Sequence, residues 1–388
     1  MRIAFLVLGT MAAWVLANAA APAAPEGLSA IGRRFAPERK NWTDPATGVP
    51  LTALTTSTAR DDKIYQTHRS WTPDGHFLIF YSERTGRPEM FARCEKTGEI
   101  VQLTDAESFA YVDMHHRRNV LYLLEGRTVV SLDLNTVIEA RSSAAERRIV
   151  SLPDEYEGLL GGSLDADDRR LYLGLSHRND NRTSLVRLDL VTGEFATILA
   201  VDFRIGHVQA NPSLPGIIMY CKETGGDTDQ RMWVVNADGT GNRPFYRETY
   251  DEWVTHEVWW GPDRALFAIW PKNRAMRHKP HGAASVGRRD GAAVVVHNQY
   301  PYWHVVGSPD LKYAVADTFA GELWLINIAE GKRKLLTQGH RPPEARPHPH
   351  PSFSPDGKRI LFCSGRWGNP DLVVVDAPDW ALLAGEGE

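Results

Sequence analysis

Histidine accounts for 14 of the 388 residues of this chain, and its placement is uneven in a way that bears on chemistry. His348-Pro349-His350-Pro351 sets two imidazoles two residues apart, between prolines that stiffen the backbone and remove donors. On an extended segment such a pair points to one side, so both rings can reach one ion. His304 offers a third imidazole. Three neutral imidazoles with open positions describe a catalytic-type metal centre better than a closed structural one. Manganese, iron, zinc and nickel suit that donor set alike. Further polar candidates for the surroundings of such a centre are His256-Glu257, His207-Val208-Gln209 and His68. A single histidine on an inner strand is ordinarily a satisfied core residue. Several aimed at one place are costly to bury unless a metal or an anionic ligand satisfies them.

The elements that would bring these residues together are repeats. Trp71-Thr72-Pro73-Asp74-Gly75 and Phe353-Ser354-Pro355-Asp356-Gly357 each precede an alternating apolar run, and Gly307-Ser308-Pro309-Asp310 does the same. Pro and Asp pre-set a turn, and Gly takes the positive-φ position. Weaker copies turn near Asn119, Asp167, Gly216 and Asp263. The steps between successive turns are 45, 48, 49, 47, 47 and 46 residues, which makes seven units of near-constant period. Each unit reads strand, turn, strand, loop, strand, and often a fourth strand. A four-stranded unit of this length is a propeller blade. The expected fold is therefore all-β, a seven-bladed β-propeller over residues 49–380 as a single domain. The last unit lacks a clear fourth strand, and residues 49–54, ahead of the first unit, can fill that place and close the ring.

In a propeller the first strand of each blade lines the axis. Six residues before each turn stand His68, Asp113, Gly161, Ala210, Glu257, His304 and His350. Three of the seven are histidine, from units one, six and seven, which adjoin once the ring closes. His256 is one residue off this count, and a slightly different turn would correct it. His207 and Gln209 open the inner strand of unit four. Arg84, Arg87, Arg366, Lys272, Arg274, Arg277, Lys279, Arg288 and Arg289 are expected in loops on the face where the inner strands begin. An arginine rim suits a carboxylate-rich ligand, which guanidinium groups grip bidentately.

The net charge of -4 and the pI near 6.4 give no electrostatic footprint for nucleic acid or an anionic membrane. Arg2, the charge-free apolar run over residues 3–17 and Ala17-Asn18-Ala19 read as a signal peptide over residues 1–21, which implies a periplasmic or secreted protein without stable membrane insertion after cleavage. Residues 22–48 read as a polar, Pro-rich lead-in. Cys94, Cys221 and Cys363 show no metal or redox spacing and are expected as buried small apolar residues.

Gly206-His207-Val208-Gln209, Asp229-Gln230-Arg231-Met232-Trp233, Thr255-His256-Glu257-Val258-Trp259, the unit around His304, and His348-Pro349-His350-Pro351-Ser352-Phe353 resemble the oligogalacturonate lyases over roughly residues 50–380. The resemblance implies a divalent metal, typically manganese, with His304, His348 and His350 as ligands. It further implies His256 as general base, Arg231 as the group that holds the substrate carboxylate, and a uronate oligosaccharide as partner. The implied reaction is β-elimination to an unsaturated product. The family's fourth protein ligand, a Gln three residues before the first His of the H-P-H-P run, is replaced here by Ala345, with Glu344 adjacent. Two competing readings stand beside this one: a relative that acts on another uronate polymer or has lost activity, and a non-catalytic binding propeller with TolB-like or WD40-like blades. No G-x-S-x-G motif supports a hydrolase.

Overall fold

Seven antiparallel sheets of four or five strands carry almost all the regular structure. The computed structural model describes residues 30–140, 146–276, 278–279, 281–298, 300–340 and 348–384. The signal-peptide reading, Arg277, Glu344 and Ala345 lie outside them. Blade six shows the pattern: Tyr302–Gly307, Tyr313–Thr318, Leu323–Asn327 and Lys332–Thr337 pair in sequence order. The tight turns work as their residues require. In blade seven the Ser354 hydroxyl donates to Asp356 Oδ1 at 2.6 Å, Lys358 N donates to the same oxygen at 3.1 Å, and Gly357 takes φ 72°. Ser308 and Asp310 repeat the contact in blade six, as do Thr72 and Asp74 in blade one.

The ring closes as expected. Pro50–Ala53 pairs with Asp371–Asp376 of blade seven, with Thr52 opposite Val374 and Ala53 opposite Val373. Leu51 and Ala53 are buried in one cluster with Phe362 and Val373 of blade seven and Leu325 of blade six. The segment read as a lead-in does more than connect. Lys40–Thr43 covers Pro50–Ala53, and Arg34–Phe35 covers Ile100–Gln102 of blade one, so both sheets have five strands. The added strands occupy edges that would otherwise be open to pairing with another chain. A seven-residue helix, Leu134–Ala140, interrupts the all-strand pattern after the third strand of blade two, where the Asp133 carboxylate accepts from Thr136 N at 2.9 Å. Among the described residues no helix is long and apolar enough to cross a membrane.

Neighbouring blades meet through buried side chains, and one junction leaves no room for any. A Cβ on Gly307 would stand 2.1 Å from Trp260 Nε1, which donates instead to the carbonyl of Ser308 at 3.2 Å. The three cysteines are free thiols, Cys221 and Cys363 buried and Cys94 half-buried.

Candidate metal centre and axial pocket

The inner strands are not regular where the histidines sit. Pairing slips between Gly206 and Gln209 in blade four, between Thr255 and Val258 in blade five, and between Tyr302 and Val305 in blade six. His207, His256 and His350 adopt φ of 44°, 56° and 46°. Positive φ is unusual for a residue with a Cβ and costs of the order of 1 kcal/mol or more, so it persists where the surroundings impose it. A bulge places two residues of one strand against one of its partner and re-aims their side chains. That is why His256, one position off the repeat count, reaches the same pocket as Glu257.

Four histidines from three blades gather there. The His304 ring lies 4.1 Å from that of His256, 4.0 Å from His350 and 5.6 Å from His348, centroid to centroid. Asp317, on the second strand of blade six, accepts from the backbone N–H of His304 at 2.7 Å and of His350 at 3.1 Å, and its Oδ2 lies 2.9 Å from His304 Nδ1. His350 Nδ1 lies 2.7 Å from the carbonyl of His348, and His256 Nδ1 lies 2.6 Å from the carbonyl of Trp303. In each ring the acceptor fixes the proton on Nδ1 and leaves Nε2 with its lone pair. Burial, followed by the repulsion that charged imidazoles would exert on one another (His304 first at His256 and His350, His348 first at His304), holds all three well below their ordinary pKa. They are therefore neutral, the state a metal ligand or a base requires. In donor chemistry, though with the His348 ring 5.6 Å from His304 and 5.9 Å from His350, these imidazoles are of the kind a divalent ion takes.

A second buried group lies beside the first. His207 Nδ1 is 2.8 Å from Glu257 Oε1, in ion-pair range but out of line for a hydrogen bond. Arg231 Nε donates to Glu257 Oε2 at 2.8 Å, and its Nη2 donates to Glu223 Oε2 at 3.2 Å. Burial alone would raise the Glu257 carboxyl, but Arg231 and His207 outweigh it and hold the group well below the carboxylate range. His207, Cys221 and Glu257 each bring a donor atom within 4.8 Å of the others. A cation there would compete with the Arg231 guanidinium, and burial keeps the Cys221 thiol protonated. The histidine quartet offers neutral nitrogen donors without that competition.

Several expected residues stand elsewhere. His68 does not join the quartet: its Nε2 lies 2.7 Å from the carbonyl of Gly162 in blade three, and its Nδ1 lies 2.8 Å from the Thr67 hydroxyl. Gln209 braces two blades, donating to the carbonyl of Glu257 at 2.9 Å while its own carbonyl accepts from Trp259 Nε1 at 3.1 Å. Arg231 is 3% exposed and already holds two carboxylates. Of the expected basic rim, Arg84 is buried against Asp61 and Glu38, and Arg87 pairs with Glu89 and Asp105. Arg288 and Arg289 pair with Asp263 beside an inner-strand turn, which puts them on the opposite face. Lys272 and Lys279 pair with Asp227 and Asp251, and Arg366 is exposed.

Sequence reasoning missed Tyr65, Asp317 and Glu223. Tyr65, from blade one, lies 5.2 Å from the His350 ring, 5.4 Å from His207 and 6.2 Å from His304. Burial, then the Glu257 charge, pushes its hydroxyl well above the usual pKa and keeps it protonated.

A profile of the oligogalacturonate lyases matches residues 29–277. This chain belongs to the oligogalacturonate lyase family. The match ends before blade six, but full-length relatives extend further. An oligogalacturonide lyase of Pectobacterium atrosepticum is 25% identical over 87% of this chain and 96% of its own length. An oligogalacturonate lyase of Dickeya dadantii is 25% identical over 90% of this chain and 99% of its own. Two solved structures share the propeller. The oligogalacturonate lyase of Vibrio parahaemolyticus superposes with a TM-score of 0.79 at 21% identity, covering 90% of this chain and 99% of that one. An oligogalacturonate lyase in complex with manganese gives 0.81 at 23% identity, covering 91% and 100%.

Proposed function

We propose that this family member cleaves oligogalacturonates by β-elimination, with a divalent metal, manganese foremost, held by His304, His348 and His350. One observation carries the reading. His304 and His350, from adjoining blades, and His256 all have Nδ1 engaged, and Nε2 of each has no partner among the described residues. When bound, the ion supplies Lewis acidity toward a uronate carboxylate, which makes the neighbouring C5–H more acidic. His256 takes that proton at Nε2, while Trp303 holds its ring through Nδ1. Arg231 fixes Glu257, and Glu257 in turn faces His207. A substrate carboxylate reaches Arg231 by displacing Glu223, the longer of its two ion pairs at 3.2 Å. The likeness to an oligogalacturonate lyase in complex with manganese supports this assignment.

The test is the ultraviolet absorbance of an unsaturated uronate product, followed with chelated and manganese-loaded protein. Product from oligogalacturonates that disappears on chelation and returns with manganese supports the proposal. Product only from another uronate polymer replaces the substrate. No product from any uronate sinks the lyase reading in favour of a binding propeller. We also propose export, with the mature chain starting between Ala20 and Pro22, on the strength of the apolar run and the small residues that follow it. Intact Met1 on a soluble cytoplasmic product, seen by mass spectrometry, would refute it.

A further inference from the structure

We propose that Tyr65 is the general acid that protonates the departing glycosidic oxygen, an inference that rests on the lyase reading above. In the chair form of a galacturonate residue, H5 and O4 are both axial and lie on opposite ring faces. The base and the acid therefore have to approach from opposite sides. His256 stands on blade five, and Tyr65 crosses from blade one. His304 and His207 flank the gap between them: their rings lie 4.1 and 6.4 Å from His256, and 6.2 and 5.4 Å from Tyr65.

Several other protic groups around the axis are already engaged. His256, His304 and His350 each direct their Nδ1 at an oxygen acceptor. Lys63 donates to the carbonyl of Ile64 at 2.6 Å, and Arg231 holds Glu257 and Glu223. His207 stands on the blade next to the base, its ring 6.4 Å from that of His256 and inclined by 30°, and so approaches from the base's side. The hydroxyl of half-buried Tyr65 makes no hydrogen bond among the described residues.

The step balances. His256 Nε2 takes the C5 proton, the C5–H electrons become the C4=C5 double bond, and the C4–O4 bond breaks with its pair on oxygen. Tyr65 gives O4 its proton. The imidazolium and the phenolate then exchange one proton through solvent, which restores both groups. The net change is one glycosidic bond replaced by an unsaturated uronate and a free alcohol.

The experiment compares wild type with Tyr65→Phe on two substrates: an oligogalacturonate, and a galacturonate carrying a 4-nitrophenyl group on O4. Nitrophenolate leaves without a proton. Tyr65→Phe should lose about 100-fold or more in kcat on the sugar leaving group, and less than about 5-fold on the aryl one, with unchanged manganese stoichiometry. More than half of wild-type turnover on the oligogalacturonate overturns the assignment, and so does an equal loss on both substrates. If wild type itself forms no unsaturated product from either substrate, the lyase reading fails, which is a different result from a failure of Tyr65 alone.

Discussion

Asp317 is not one of the proposed metal ligands, yet it couples the two blades that would hold the metal. Its carboxylate accepts from the backbone of His304 and of His350 and fixes the His304 ring through Nδ1. An amide keeps the shape but presents only one accepting oxygen. Asp317→Asn should therefore weaken manganese binding about 10- to 100-fold, read by metal titration, with blade structure intact by circular dichroism. Unchanged affinity would show that the histidines hold their orientation without it. A similar argument separates His256 from Glu257, the two candidates for the base. Glu257 is committed to Arg231 and His207, so Glu257→Gln leaves a buried guanidinium with only Glu223 and should cost about 3 kcal/mol or more in stability. His256→Ala should keep its metal and its Tm while losing roughly 100-fold in turnover. The reverse pattern would make the carboxylate the base. The histidines were legible in the sequence because their spacing from the turns is regular. Tyr65 was not, because the first strand of blade one is only Asp61–Lys63 and the chain beyond it departs from the repeat. Asp317 and Glu223 were hidden because their partners come from strands that only folding brings together.

At the scale of the strand and its turn, the repeat was readable where Ser or Thr, Pro and Asp build the hairpin. It was unreadable where a bulge breaks period two, as between Thr255 and Val258. The junction of blades one and seven shows what a count of strands cannot. Asp371, on the third strand of blade seven, is buried near Asp61 of blade one and accepts from the Thr55 hydroxyl at 3.3 Å. Burial, and then the charge of Asp61, pushes its carboxyl up to about 7. The folded protein thus holds this proton more tightly than the unfolded chain, whose aspartate titrates near 3.9. The resulting stability is fully present below about pH 4 and is lost as pH rises through 7. Asp371→Asn removes the titration. It should match wild type below about pH 4 and exceed it at pH 8 by about 1 kcal/mol once solvent screening is allowed for, or about 1–2 °C in Tm. Thermal melts of both proteins across that range test it, and a gap that shrinks with rising pH contradicts the assignment.

The whole ring depends on a strand that comes from the far end of the chain. Pro50–Ala53 completes blade seven, and blade seven carries His348 and His350 just ahead of an inner strand only two residues long, Ser352–Phe353. Closure and metal binding should therefore be coupled in a way that ordinary core packing is not. Two substitutions of the same chemistry separate the effects. Leu51 is 2% exposed in the closing strand, and Leu173 is 1% exposed in blade three. Truncating either to Ala should cost about 2–5 kcal/mol, from lost burial and the cavity left behind. In Leu173→Ala the loss is remote from the histidines, so manganese affinity at low temperature should match wild type. In Leu51→Ala the closing strand loosens, amides of blade seven should exchange faster, and manganese should bind more weakly. Saturating metal stabilises the folded state by about 2.7 kcal/mol at 100 times Kd. At one fixed manganese concentration, the rise in Tm should be as large for Leu173→Ala as for wild type and smaller for Leu51→Ala. Equal manganese affinities in the two variants, at matched loss of Tm, would mean that blade seven holds its histidines without help from the closing strand.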